Sequence, residues 1–514
     1  MPNLKAFGAT EFMDSAISVG VLAELVLRGS PVPPEKRRPA RRGRGVQHPR
    51  AACSTESESD EDSDGGEADE AERRAAAKPL EALDFCGCVS SVFVGALHAF
   101  VRNEGLLRLP GDKPPQRIFT GLRRLGLRGV TSVPSSTLSA LVLSFPNLTH
   151  LDLTGTLCTP DLLEGLSAQA SNGDRGPGMR LKSLALGRCT RLTSAAIARF
   201  ITGLAYDTII IDSDGQTPPS NPSLSGVCDE LEELSLYGDT LFPTPLTEED
   251  LYFIVSAAPC FTSNAANMTY LDLSSCPVTP RILERAFANA GVSGLRSLGL
   301  SHIPALRLSP LITFIASHAS HVEVLTLVGS CIAELSTDTF GGTGRVGEVA
   351  LALTVRSKLL DPLCSLPFRI QGLDTPVSTS EAEEEEETPT RLRVLEFSNS
   401  LLKLLPPGAE RSSRFSTSSN ASLCSPGSPA WTTVRSRGGR AWYVDASACW
   451  VNGRFVRGST SPKYAVMVKP VQQEIAKLAA IGMGPASGHV GWHAHKMEVS
   501  LDFPVVCLLL NNEN

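Results

Sequence analysis

Three histidines, His489, His493 and His495, fall close together in GHVGWHAHKMEV, and converging imidazoles are common zinc donors. Their spacing matches no metal-ligand pattern, and no second group of His, Cys or acid stands nearby, so they read as surface histidines. Cys86 and Cys88 form C-G-C, which lacks the two-residue gap of redox and zinc motifs. Asp84, Asp152 and Asp272 hold the same place in three similar hexapeptides, where a catalytic acid would be needed once; repetition speaks for architecture. The chain contains no G-x-S-x-G, no G-x-x-x-x-G-K-[ST] and no G-x-G-x-x-G after a strand. It is therefore expected not to be an enzyme, with no cofactor and no metal.

The elements that carry these residues recur. A Leu-x-x-Leu-x-Leu block appears as LTHLDL from Leu148, LKSLAL from Leu181, LEELSL from Leu231, MTYLDL from Met268, LRSLGL from Leu295 and VEVLTL from Val322. Further copies are LAELVL from Leu22, LEALDF from Leu80, LRRLGL from Leu122 and LRVLEF from Leu392, with a weaker one around Val346 to Leu353. Each block alternates apolar and polar residues, the pattern of a short strand with one buried face. The tightest spacings, Leu122 to Leu148 and Met268 to Leu295 to Val322, lie in the twenties, the period of a leucine-rich repeat.

Helix signals fill the gaps. In PVTPRILERAFANAG after Cys276, Thr279 is placed to cap, Pro280 opens the helix, and Ile282, Leu283, Ala286 and Phe287 share one face. Ser309-Pro310 and Thr159-Pro160 repeat the device. Thr193 and Thr247 cap two more helices, with Asp250 completing a capping-box spacing after Thr247. Units of this kind cannot bury their apolar faces singly. They are expected to stack into an α/β solenoid, with parallel strands on a concave side and helices on a convex side.

With these blocks the chain resembles the leucine-rich repeats of the ribonuclease-inhibitor-like fold, and in particular the cysteine-containing subtype that reads LxxLxLxxC. Cys88, Cys189 and Cys276 stand at the cysteine place; Val130, Thr156, Asp239, Ile303, Ser330 and Ser400 replace it in the other blocks. The resemblance covers roughly residues 80–400. It implies a protein-binding scaffold, and its subtype implies the substrate receptors of cullin-type ubiquitin ligases. Those receptors carry an F-box ahead of the repeats; the repeat-like Leu4 and Phe7 leave no room for one in this sequence, so the receptor reading expects an F-box that is missing from it or lies elsewhere. GTPase regulation is a third role found in the fold.

Composition sets the remaining bounds. Of 514 residues 42% are hydrophobic and 20% charged, ample for a large core, and the net charge of -7 argues against coating nucleic acid. There is no apolar run long enough to cross a membrane and no signal-peptide pattern, so a cytoplasmic or nuclear protein is expected. Thirteen cysteines, mostly inside periodic apolar segments, read as buried free thiols.

The expected organisation is a repeat-like segment at 1–30, a disordered charged insertion at 31–79, the repeat array at 80–400, a disordered Ser/Pro/Arg-rich linker at 401–439, a Trp-containing module or cap at 440–503, and a tail at 504–514. The insertion is basic first (PEKRRPARRGRGVQHPR) and acidic second (ESESDEDSDGGEADEAE), and its basic half reads as a solvated loop or an import signal. All 4 tryptophans, Trp431, Trp442, Trp450 and Trp492, lie in the C-terminal region. That region is similar to tails on leucine-rich-repeat proteins of fungi.

The non-leucine positions define an expected partner-binding face. Blocks 122 and 181 place Arg123, Arg124, Arg128, Lys182 and Arg188 there with His150 between them, and blocks 231 and 268 place Glu232, Glu233, Tyr237, Tyr270 and Asp272. The face is expected to have a basic lobe, suited to an acidic segment of a protein partner, and an acidic lobe whose tyrosines make contacts.

Overall fold

A computed structural model describes residues 4–9, 12–29, 73, 75–107, 119–171, 179–204, 226–238, 244–263, 267–335, 353–364, 390–398 and 401–402. In the C-terminal region it describes 431–435, 441–445, 449–451 and 454–456. Nine of the blocks form three-residue strands. They are β2 (Ala82–Asp84), β3 (Arg124–Gly126), β4 (His150–Asp152), β5 (Ser183–Ala185), β6 (Glu233–Ser235), β7 (Tyr270–Asp272), β8 (Ser297–Gly299), β9 (Val324–Thr326) and β10 (Val394–Glu396). β1 (Ala6–Gly8) precedes them, and all ten pair in parallel in chain order.

Register follows directly from the repeat. From β2 to β10 the central leucine of each strand stands opposite that of the next, as in Leu234, Leu271 and Leu298, and those from Leu83 to Leu395 are 2% exposed or less; in β1 Phe7 takes this place. A one-residue slip would turn this leucine column out of the core, so the pattern specifies the pairing. Behind the sheet, phenylalanines pack between repeats, with Phe287 5.1 Å from Phe314 and 6.1 Å from Phe261. Strands stack about 4.8 Å apart whereas helices need about 8–10 Å, so the stack bends with strands inside. The fold is an α/β leucine-rich-repeat solenoid.

Helix starts agree with the capping residues in two cases. Thr193 accepts the Ala196 N–H at the head of Ser194–Thr202, and Thr247 accepts that of Asp250 while donating to its Oδ2 at 2.9 Å before Glu248–Ala257. The helical runs after Thr159 and Thr279 also start where expected, at Pro160 and Pro280, but the Thr279 hydroxyl donates to Glu248 Oε1 at 2.8 Å, joining two repeats; only the helix Leu308–His318 differs, starting ahead of Ser309-Pro310.

The LAELVL block is a correction: it lies in the helix Val19–Val26, capped by Ser18, and the first strand comes from LKAFGA at Leu4. Leucines at i and i+3 suit a helix face as well as a strand, and the cap decides. A second correction falls at the C-terminus. β11 (Trp431–Arg435) begins inside the span expected to be a linker, and it forms an antiparallel hairpin with β12 (Ala441–Asp445). β12 pairs antiparallel with β10, so the hairpin covers the sheet edge, with Tyr443 7% and Val444 2% exposed and Trp431 stacked on Tyr443 at 5.3 Å. β13 (Cys449–Val451) and β14 (Arg454–Val456) make a separate two-stranded sheet. His489, His493 and His495, residues 31–72, the acidic run at 381–387 and the tail at 504–514 lie outside the described residues, as does nearly all of the weak block around Val346.

Candidate partner-binding face

Counting the first apolar residue of each block as place one, places four and six point into the core, and places three, five and seven face the concave side. Place nine is the cysteine place, and its role is visible in hydrogen bonds. Cys88, Cys189 and Cys276 donate to the carbonyls of Ala9, Leu153 and Leu236, in each case place six of the preceding repeat. Ser330 makes the same bond to Leu300 at 2.6 Å, and Thr156 bonds the Leu153 carbonyl of its own block at 2.7 Å. A buried carbonyl needs a donor, which a hydroxyl supplies strongly and a thiol weakly.

Place eight carries the turn out of the strand. Its backbone is left-handed at Gly87, Gly129, Gly155 and Gly329, and also at Arg188, Ser275 and His302. The N–H of Gly87, Gly129, Gly155, Arg188, Ser275 and His302 continues the ladder, as in Gly129 to the Thr154 carbonyl and Ser275 to the Ser301 carbonyl. Arg188, expected on the strand face, therefore sits in this turn with φ 58°, its N–H on the Tyr237 carbonyl.

Place two forms a charged rim. Lys5 pairs with Glu81 at 3.4 Å, Lys182 with Glu232 at 2.7 Å and Arg393 with Glu323 at 2.8 Å. Lys182 is thereby held across the border of the two expected lobes, its ammonium pKa raised by the Glu232 hydrogen bond. Arg123 also lies on this rim, exposed. Separate basic and acidic lobes are thus not what the rim shows: opposite charges meet between neighbouring strands, about 5 Å apart.

The face proper holds Arg124, His150, Glu233 and Tyr270 at place three, and Arg128 and Tyr237 at place seven. Arg124, His150, Glu233 and Arg128 are half-buried. His150 Nδ1 lies 2.9 Å from Thr149 Oγ1. Burial pulls the Arg128 guanidinium down, but Tyr237, Asp152, Cys86 and Tyr270 outweigh it and hold its pKa above the usual value. The tyrosines, expected as projecting contacts, are buried: Tyr237 is 6% and Tyr270 5% exposed. A side chain at Gly187 would collide with the Tyr237 ring, so the phenol lies along the sheet over the neighbouring strand.

Place five makes the floor. Its acids are Asp84, Asp152, Asp272 and Glu396, separated by the small residues Gly126, Ala185, Ser235, Gly299 and Thr326. The three aspartates share one device, accepting the backbone N–H two residues on at Cys86, Thr154 and Ser274, at 2.9 to 3.0 Å. This is a strand-ending turn. Gly126 and Gly299 leave space that the Asp84 and Asp272 carboxylates fill. Burial, aided by Glu396, raises Asp272 to about 6 against the Ser274 bonds; burial raises Asp84 as well.

Among the described residues no three His, Cys, Asp or Glu side chains are grouped to hold a metal, and no helix is long and apolar enough to cross a membrane. The cysteines from Cys86 to Cys364 are free, and burial pushes the thiols of Cys189, Cys260 and Cys331 up to about 12, where they are poor nucleophiles. The cleft between Leu25, Gly29, Pro79, Leu83 and Phe119 presents polar and apolar surface in equal measure, with Arg28 and Thr120 in its wall.

Neither the family models nor the curated proteins contain a match to this chain. Among solved structures it is similar to a chain of "Crystal structure of Rad7 and Elc1 complex in yeast", at 16% identity over 49% of this chain and 57% of that one, with a TM-score of 0.28. The match spans little more than half of that chain's length, and a likeness this small carries no argument.

Proposed function

We propose that this chain is a non-catalytic scaffold of the cysteine-containing leucine-rich-repeat type that binds another protein on its concave face. The observation that supports this most is the division of labour within each repeat. Places one, four and six are apolar throughout, and place nine holds either a buried donor to a strand carbonyl or an apolar residue such as Val130 and Ile303, yet places three, five and seven change from strand to strand. Positions released from the repeat's own packing can be matched to a ligand, and rigid elements hold them in register. The sequence expectation of an acidic partner segment gives way to a partner with cationic groups, because Lys182 is engaged on the rim and acids outnumber bases on the face.

Affinity purification with mass spectrometry tests this. The variant Arg124→Glu with Glu233→Arg alters two half-buried concave residues, and Glu164→Lys with Glu284→Lys alters two exposed convex ones. The reading expects partners to be lost with the first and kept with the second. Retention of every wild-type partner by the concave variant would overturn it.

A further inference from the structure

The floor of the concave face has two properties that its role in repeat packing leaves unexplained. On places three, five and seven of β2 to β10 the acids are Asp84, Asp152, Glu233, Asp272 and Glu396, whereas the bases are Arg124 and Arg128, with the imidazole of His150 beside them. In addition, Ser183 and Ser235 are 0% exposed and Ser297 is 2% exposed, and none of the three hydroxyls has a hydrogen-bond partner among the described residues. Oε2 of Glu233 is buried and without a partner too. Register places these atoms together: Ser183 stands opposite Glu233, Ser235 opposite Asp272, and Ser297 opposite Tyr270. The serines are sunk between taller neighbours. Native proteins leave few polar atoms in that condition, and a cluster on one face marks a place where a ligand completes the bonding.

We propose that this trough takes an extended, arginine- or lysine-bearing segment of another protein, an inference that rests on the concave face being the binding face. Guanidinium and ammonium groups have donors only, and the trough offers carboxylate and hydroxyl oxygens, which accept. Backbone N–H groups of an extended segment add further donors. From β2 to β10 the trough runs about 38 Å at ~4.8 Å per strand, room for about 11 extended residues. The small residues Gly126, Ala185 and Gly299 let a chain lie close, while the carboxylates at intervals between them favour cations over anions.

The test uses the full chain and a fluorescent peptide of alternating arginine and serine, with a glutamate and serine twin as control, read by anisotropy at low and high salt. The arginine peptide binds and its twin does not. Glu233→Gln with Glu396→Gln, checked for an unchanged melting temperature, weakens binding roughly tenfold, in the range for a close charge pair. Ser235→Ala weakens it less but at any salt concentration. The convex pair Glu164→Gln with Glu284→Gln, which removes the same charge, leaves it unchanged. Equal weakening by the convex pair would reduce the effect to diffuse charge and overturn the proposal, and so would preference for the glutamate twin. If partners are lost with the Arg124→Glu, Glu233→Arg variant while the arginine peptide fails to bind, the trough proposal falls and the concave face stands. If Arg37, Arg38, Arg41 and Arg42 changed to Ser raise affinity for the peptide, this chain's own basic segment is the occupant, which also overturns the assignment to another protein.

Discussion

At the scale of single residues, Asp272 carries the largest conflict between fold and charge. Its carboxyl accepts the Ser274 N–H, which shapes the turn, yet it lies 3% exposed beside Glu396. Its folded pKa of about 6 exceeds the ordinary carboxylate value, so the folded chain holds this proton more tightly than the unfolded one. The stability it contributes is full below about pH 4 and is lost as pH rises through about 6. Asp272→Asn keeps the acceptor and removes the charge. The variant should melt higher than wild type at pH 7.5, by at most about 3 kcal/mol, with the gap closing at pH 4. A constant gap across that range, followed by calorimetry, would refute the buried-charge account. Place eight allows a second test. Gly129 has φ 73° and its added Cβ would meet nothing closer than 3.8 Å, so Gly129→Ala introduces backbone strain without a clash. It should lower stability by about 1–2 kcal/mol in denaturant titration.

At the scale of elements, the hairpin of β11 and β12 solves a problem that every solenoid meets at its end. β10 would otherwise present an open strand edge, a template for pairing with other chains. Tyr443 anchors the hairpin, 7% exposed, stacked on Trp431 and opposite Leu395 in the ladder. Removing its ring in Tyr443→Ala should cost about 3 kcal/mol locally and uncover β10. The expected readout is faster hydrogen exchange at residues 394–396 and concentration-dependent association in light scattering. Unchanged exchange there would show that the hairpin does not hold the edge.

For the whole molecule, stability is a sum over repeats, each touching only its neighbours. A lesion in mid-array should therefore act on both sides. Leu271 is fully buried, in register with Leu234 and Leu298. Leu271→Asp loses about 2 kcal/mol of apolar burial and adds the penalty of a buried carboxylate. Calorimetry should show a lower melting temperature, with the central repeats opening first by hydrogen exchange. Melting at the wild-type temperature would refute the register.

The period of the leucines was enough to determine strand number within the array, order, pairing and core, because a parallel ladder has one register that buries every place-four leucine. Thr193 and Thr247 marked helix starts in advance for the same local reason: a capping hydroxyl acts within three residues. The tertiary structure decided what depends on distant neighbours. LAELVL fits helix and strand equally until Ser18 caps it, and the turn at Arg188, Ser275 and His302 is legible only where glycine occupies place eight. Lys182 read as part of a basic lobe until the fold set Glu232 beside it across fifty residues of chain. Tyr237 and Tyr270 read as projecting contacts until their neighbours closed around them. Charge and burial on a curved sheet are properties of adjacent strands, and adjacency across long connections is set by packing.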